Sequence, residues 1–188
     1  MKTNGLYEQV VIAGFGGQGI ILVGKLLAQT AMKAGKEVTY MPSYGAEVRG
    51  GASNCMVTIS NEMIPSPVVS KPQSVIAMSK AALNKFGPCL NKGGLLIINS
   101  SQIDVVPEID DSVKVVKIPL DEIAVGLGNA KVANMVALGA YLQKRGLLEL
   151  ETAADCLPDV LAKRYHITIP LNKNALQKGA QFVKENAG

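Results

Sequence analysis

Apolar residues fall along this chain in two rhythms. Short unbroken runs stand at Val10–Ala13, Val75–Met78 and Leu95–Ile98. Runs of this length without polar alternation predict strands covered on both faces. Between them the rhythm turns helical. From Gly19 on, Lys25, Gln29 and Lys33 recur every four residues as a narrow polar stripe on an otherwise apolar or small segment, and Gly35 is placed to stop it. A second strand is predicted over Val38–Met41, ending in Pro42 and Ser43. Ser53–Ser60 reads SNCMVTIS and is rich in β formers; Asn61-Glu62 makes a turn, and Met63–Pro65 returns as a short arm. That predicts a β-hairpin-like insertion near residues 53–66. Helices are predicted over Ser79–Phe86, over Ala130–Arg145 with Asn129 as N-cap and Gly146 as stop, and around Pro158 in Thr152–Arg164. A last helix is capped by Asn172. Val113–Ile118 mixes lysines with valines and belongs near an edge.

Strands alternating with helices predict an α/β fold, a three-layer Rossmann-like arrangement with a mostly parallel sheet flanked by helices. No repeat, low-complexity segment or linker divides the chain, so residues 1–188 are expected to form a single domain.

Composition narrows the function. Hydrophobic residues make up 48% of the chain but aromatics only 4%, with no Trp, so the core must be built from Val, Ile, Leu, Met and Ala. The net charge of +4 is spread without a dense basic cluster, which argues against nucleic acid as a partner. No run of about 18 apolar residues occurs, so no membrane partner is expected. Cys55, Cys89 and Cys156 are widely spaced and form no C-x-x-C pair. That pattern predicts reduced thiols in the cytoplasm and no metal site within the chain. His166, the one histidine, lies in KRYHITIP apart from any Cys, so no catalytic residue is assigned.

The first motif is VVIAGFGGQG. Gly14, Gly16 and Gly19 satisfy the dinucleotide fingerprint G-x-G-x-x-G, after a buried strand and before a helix. In that fingerprint the first Gly makes the turn, the second lets backbone approach a diphosphate, and the third packs helix on strand. The acid that should hold a ribose at the end of the second strand is missing: Glu37 sits at that strand's other end. Gly17 is an extra glycine. Gln18 both donates and accepts, and serves either a ligand or a neighbouring backbone.

The second motif is PSYGAEVRGG. Ser43 and Tyr44 offer hydroxyls beside Gly45. Arg49, a rigid five-donor fork suited to carboxylate or phosphate, is flanked by Gly50 and Gly51 and stands two residues from Glu47. Three readings remain open for this loop: an internal Arg–Glu brace, a subunit interface, or contact with a ligand. Asn99, at the carboxyl end of the Leu95–Ile98 strand, joins these residues as a candidate, because ligands gather at such ends of open α/β sheets.

GFGGQG opening a helix, followed by PSYGAEVRGGASNCMVTIS, resembles the gamma subunit of the 2-oxoacid:ferredoxin oxidoreductases. The resemblance continues through SPVV at Ser66–Val69, GGLLIINSS at Gly93–Ser101 and PLNKNALQKG at Pro170–Gly179. PSYGAEVRGG is most similar to the 2-oxoglutarate type, with Ala46 where that type has Pro; pyruvate and branched-chain types are related. The resemblance implies oxidative decarboxylation of a 2-oxoacid to an acyl-coenzyme A and CO2, with electrons passing to ferredoxin. It implies thiamine diphosphate, Mg2+ and [4Fe-4S] clusters, and coenzyme A as co-substrate. This chain has no Gly-Asp-Gly and no cysteine cluster. The cofactors are therefore expected on companion alpha, beta and delta subunits, with this chain inactive alone. Two other classes stay in play: a stand-alone dinucleotide-dependent oxidoreductase, and a coenzyme A- or nucleotide-binding module.

Overall fold

A computed structural model describes residues 5–44 and 51–186. The described strands are β1 (Tyr7–Phe15), β2 (Glu37–Tyr44), β3 (Ala52–Ser60), β4 (Ser74–Ala77), β5 (Leu95–Asn99) and β6 (Lys114–Ile118). They form one sheet in the order β2-β3-β1-β4-β5-β6. β4 and β5 are buried along their whole length, as their unbroken apolar runs require, and β6 is the more exposed edge. The helices are α1 (Ile20–Lys33), α2 (Lys80–Phe86), α3 (Leu120–Gly126), α4 (Ala133–Arg145), α5 (Leu150–Val160) and α6 (Ile169–Glu185).

β1 is the seam of the sheet. It pairs antiparallel with β3 on one side and parallel with β4 on the other. The parallel ladder continues through β5 to β6, while β3 runs antiparallel to β2 as well. The segment expected as a hairpin insertion is thus a full sheet strand. Its antiparallel neighbours are β1 and β2, and Met63–Pro65 forms no strand. Both edges of β3 are already taken, and Pro65 has no N–H to give to a ladder. β2 runs past Met41 to Tyr44 and includes Pro42, which is tolerated because β2 is an edge strand.

Alternation along β1 splits the core in two. Val10 and Ile12 join α1, α4, α5 and α6 in the larger cluster, whereas Val11 and Ala13 meet Leu83 of α2 and Ile103 on the opposite face. The third layer is therefore thin, one short helix and the segment after β5. α4 is buried from Ala133 to Leu142, which explains its lack of a polar stripe. It lies against α6 so closely that a Cβ on Gly139 would stand 1.9 Å from the Leu176 carbonyl oxygen, and one on Gly179 1.9 Å from that of Val136.

Two helix starts differ from expectation. Asn129 caps a short 3-10 turn, Ala130–Val132, that leads into α4. α6 begins at Ile169, three residues before Asn172, because Pro170 presets the first helical turn. Asn172 instead donates from Nδ2 to the Thr168 carbonyl at 2.8 Å.

One charged group lies deep in the core. Glu8 shares a face of β1 with Val10 and Ile12 and is 1% exposed. It accepts from Ser74 Oγ at 2.6 Å, from Tyr141 OH at 3.3 Å and from Arg145 Nε at 2.9 Å, and a second guanidinium nitrogen of Arg145 closes a bidentate pair. Partial burial opposes the charge on Arg145, but hydrogen bonding and charge from Glu8 outweigh it and hold the guanidinium pKa above its ordinary value. Burial, then the Glu8 charge, pushes the Tyr141 phenol well above its usual range.

Candidate functional site

β3 runs antiparallel, so it begins at the end of the sheet where β1, β4 and β5 finish. The glycine turn, Gly51 and Asn99 consequently share one rim. Tyr44 pairs in backbone with Ser53 at this end. Gly45, Glu47, Arg49 and Gly50 lie outside the described residues, and Ser43 is exposed.

The glycine turn is closed by its own residues. Gln18 folds back over it: Oε1 accepts from the Phe15 amide at 2.7 Å, and Nε2 donates to the Met78 carbonyl at 3.2 Å. The space this needs comes from Gly14, where a Cβ would stand 2.3 Å from Gln18 Oε1. The Gly16 amide donates to the Gly51 carbonyl at 2.9 Å. Gly19 has φ +73°, a conformation that side chains other than glycine resist, and a Cβ there would meet Asn134 Nδ2 at 2.2 Å. Asn134, 4% exposed, donates to the Gly19 carbonyl at 3.3 Å. Among the described residues no side chain caps α1.

Beside the turn, Gln18, Met78, Gln102, Asp121, Lys131 and Asn134 border a cleft of about 230 Å³. Gln18 and Asn134 are spent on backbone, and Asp121 and Gln102 on each other. Asn99, fully buried, donates to Asp121 Oδ1 at 2.9 Å and accepts from the Ser101 amide at 3.2 Å. Gln102 donates to Asp121 Oδ2 at 2.6 Å. Ser101 accepts from the Asp121 amide at 3.1 Å and donates to Glu122, whose carboxyl is held below its usual range by that bond. Asn99 thus fastens the start of α3 to the end of β5. A wider hollow, about 570 Å³ near Glu108, Asp110 and Asp111, is lined by no described residue of either motif.

The thiols do not gather. Cys55 and Cys156 are buried and Cys89 is exposed. Burial pushes the Cys55 thiol up to about 12, far from the thiolate a metal requires. Among the described residues no group of three or more His, Cys, Asp and Glu side chains is arranged to hold a metal ion. The described residues therefore do not offer the cysteine set of an iron–sulfur cluster. Nε2 of His166 lies 3.0 Å from the Leu161 carbonyl oxygen. No described helix is long and apolar enough to cross a membrane.

Sequence reasoning missed Asn134, Gln102 and Asp121 at this rim. Asn134 carried the one available signal, a polar residue in an apolar helical run.

Fold and rim define an α/β domain with a dinucleotide-type turn at the seam of its sheet, where strand order reverses. The chain belongs to the pyruvate ferredoxin/flavodoxin oxidoreductase family, whose model matches residues 9–182. Ketoisovalerate oxidoreductase subunit VorA from Methanothermobacter thermautotrophicus is 35% identical over 180 residues, 95% of this chain but 37% of that one. The chain thus spans little more than a third of that relative. 2-Oxoglutarate synthase subunit KorC from Methanocaldococcus jannaschii is 35% identical over 182 residues, covering 95% of both chains. Among solved structures, the gamma subunit of a keto/oxoacid ferredoxin oxidoreductase from Geobacter sulfurreducens superposes with a TM-score of 0.80 at 28% identity, over 95% of this chain and 99% of that one. The 2-oxoglutarate:ferredoxin oxidoreductase of Magnetococcus marinus, solved with 2-oxoglutarate, coenzyme A and succinyl-CoA bound, gives 0.84 at 26% identity, over 95% of this chain and 31% of that one.

Proposed function

We propose that this chain is the gamma-type subunit of a cytoplasmic 2-oxoacid:ferredoxin oxidoreductase. The favoured substrate is 2-oxoglutarate, converted with coenzyme A to an acyl-coenzyme A and CO2. The observation that carries this reading is the end-to-end match with KorC, in which neither chain has a large unmatched part. Residues 1–188 act as a single α/β domain. Thiamine diphosphate, Mg2+ and [4Fe-4S] clusters sit on companion alpha, beta and delta subunits, which pass electrons to ferredoxin.

The role of the chain is to shape the assembly at the rim where its two motifs meet. Arg49, from a glycine-flanked loop, docks on a companion subunit or on the phosphates of coenzyme A. A stand-alone dinucleotide enzyme is favoured only by the glycine spacing. It is opposed by the end of β2, where Pro42 and Ser43 stand in place of a ribose-binding acid.

The test is omission. The companion subunits are co-expressed with and without this chain, and 2-oxoacid- and coenzyme A-dependent reduction of a ferredoxin substitute is measured. Activity is expected only with all subunits present, and robust turnover by this chain alone would sink the proposal. Arg49→Ala is expected to leave the fold within about 0.5 kcal/mol of wild type. In the assembly it lowers either co-purification yield or the apparent affinity for coenzyme A. A lower melting temperature of the lone chain, with normal assembly and kinetics, would instead make Arg49 an internal brace.

A further inference from the structure

We propose that Gln18 turns a dinucleotide-type glycine turn into a clasp across the seam of the sheet, with the Phe15 and Gly16 amides spent on protein atoms rather than on a diphosphate. In the nucleotide-binding form of this turn, glycines leave room for a diphosphate and the turn's amides hold its oxygens. Here the room left by Gly14 holds Gln18 Oε1, which already takes the Phe15 amide. The next amide, Gly16, is taken by Gly51. The third fingerprint glycine makes room for Asn134 rather than for a ligand. Gly14 and Gly19 therefore make room for protein side chains, while the Gly16 amide is spent on Gly51.

The same bonds perform a mechanical task. β1 is flanked by an antiparallel and a parallel neighbour, and its last residues lie where the two ladders diverge. Gln18 ties that end of β1 to Met78, just past β4, and Gly16 ties the turn to Gly51, just before β3. A side-chain amide suits the task because it carries one acceptor for Phe15 N–H and one donor for the Met78 carbonyl. A carboxylate supplies only the first. Gln18 is thus a positioning residue for the rim, and this role does not depend on which 2-oxoacid the enzyme uses.

The test uses the full, isotope-labelled chain and reads amide hydrogen exchange and resonance positions at Phe15 and Gly16. ADP-ribose and inorganic pyrophosphate are the probes. Neither is expected to shift those resonances saturably in the wild type. Gln18→Ala is expected to speed exchange at Phe15 about tenfold, the loss of one hydrogen bond. Gln18→Glu keeps the acceptor, so protection at Phe15 returns, while the lost donor to Met78 leaves the melting temperature below wild type. Saturable shifts at Phe15 and Gly16 in the wild type would overturn the proposal, as would unchanged Phe15 exchange in Gln18→Ala. Should the alanine variant fail to fold, the wild-type titration and Gln18→Glu still decide between the outcomes.

Discussion

Replacing Gly139 by alanine adds one methyl group where α4 meets α6, and the structure fixes the sign of its effect. The new Cβ would lie 1.9 Å from the Leu176 carbonyl oxygen and 2.7 Å from its carbon, whereas ordinary contact begins near 3.4 Å. The obstacle is backbone, so no rotamer change relieves it, and the helices must separate by about 1.5 Å in a close-packed interior. Overpacking of this kind costs about 1–3 kcal/mol, and a rigid obstacle places it at the upper end. Alanine returns about 1 kcal/mol through its better helix propensity. The net expectation is a loss of about 2 kcal/mol, or about 4–8 °C in Tm for a chain of this size. Gly126→Ala is the control: it too is helical, but its Cβ meets nothing within 4 Å. The same chemical change there is expected to be neutral or to stabilise by up to about 1 kcal/mol. Adding Gly179→Ala to Gly139→Ala costs less than the two singles together, because the helices separate only once. Thermal melts followed by far-ultraviolet circular dichroism check all four variants. A Gly139→Ala protein that melts at or above the wild-type temperature would refute the reasoning.

Two further outcomes are expected. Glu8→Ala strands the Arg145 guanidinium, whose side chain is 28% exposed, together with the buried hydroxyls of Tyr141 and Ser74. Breaking such a pair costs about 3–5 kcal/mol, and partial access of Arg145 to water favours the low end; a loss below about 1 kcal/mol in urea unfolding contradicts this. The Cys55 thiol has its pKa raised from 9.0 to about 12 by burial, so it stays protonated in the native state while the unfolded chain ionises. Its stabilising contribution is complete below pH 9 and is lost as pH rises from there to about 12, at about 1.4 kcal/mol per pH unit. Cys55→Ala should flatten the alkaline limb of stability against pH by that slope, and an unchanged limb would show that Cys55 carries no such shift.

The parallel half of the sheet was legible because β1, β4 and β5 are unbroken apolar runs, a pattern that only burial on both faces explains. β3 was legible as a strand but not in its partners. Alternation reports which faces are covered, whereas pairing depends on which edge the chain reaches. At the rim, the spacing of Gly14, Gly16 and Gly19 marked the right turn while suggesting a ligand. Gln18 looked equally fit for ligand or backbone, since an amide has the same donor and acceptor for either, and only the fold places Met78 beside it. Glu8 was not legible. Nothing near YEQVV announces an arginine, a tyrosine and a serine arriving from other elements. Its register with Val10 and Ile12 was the one sign that it points inward.

The buried pair of Glu8 and Arg145 joins residues 137 apart in the chain. Making a contact of that span closes a loop over most of the chain, with the entropic cost that a long loop carries. A chain cut before α4 is complete has Glu8 on β1 without Arg145, and removing one partner of a buried pair destabilises what remains. The pair thus ties the central strand of the sheet to the far end of α4, so a single contact spans the greater part of the chain.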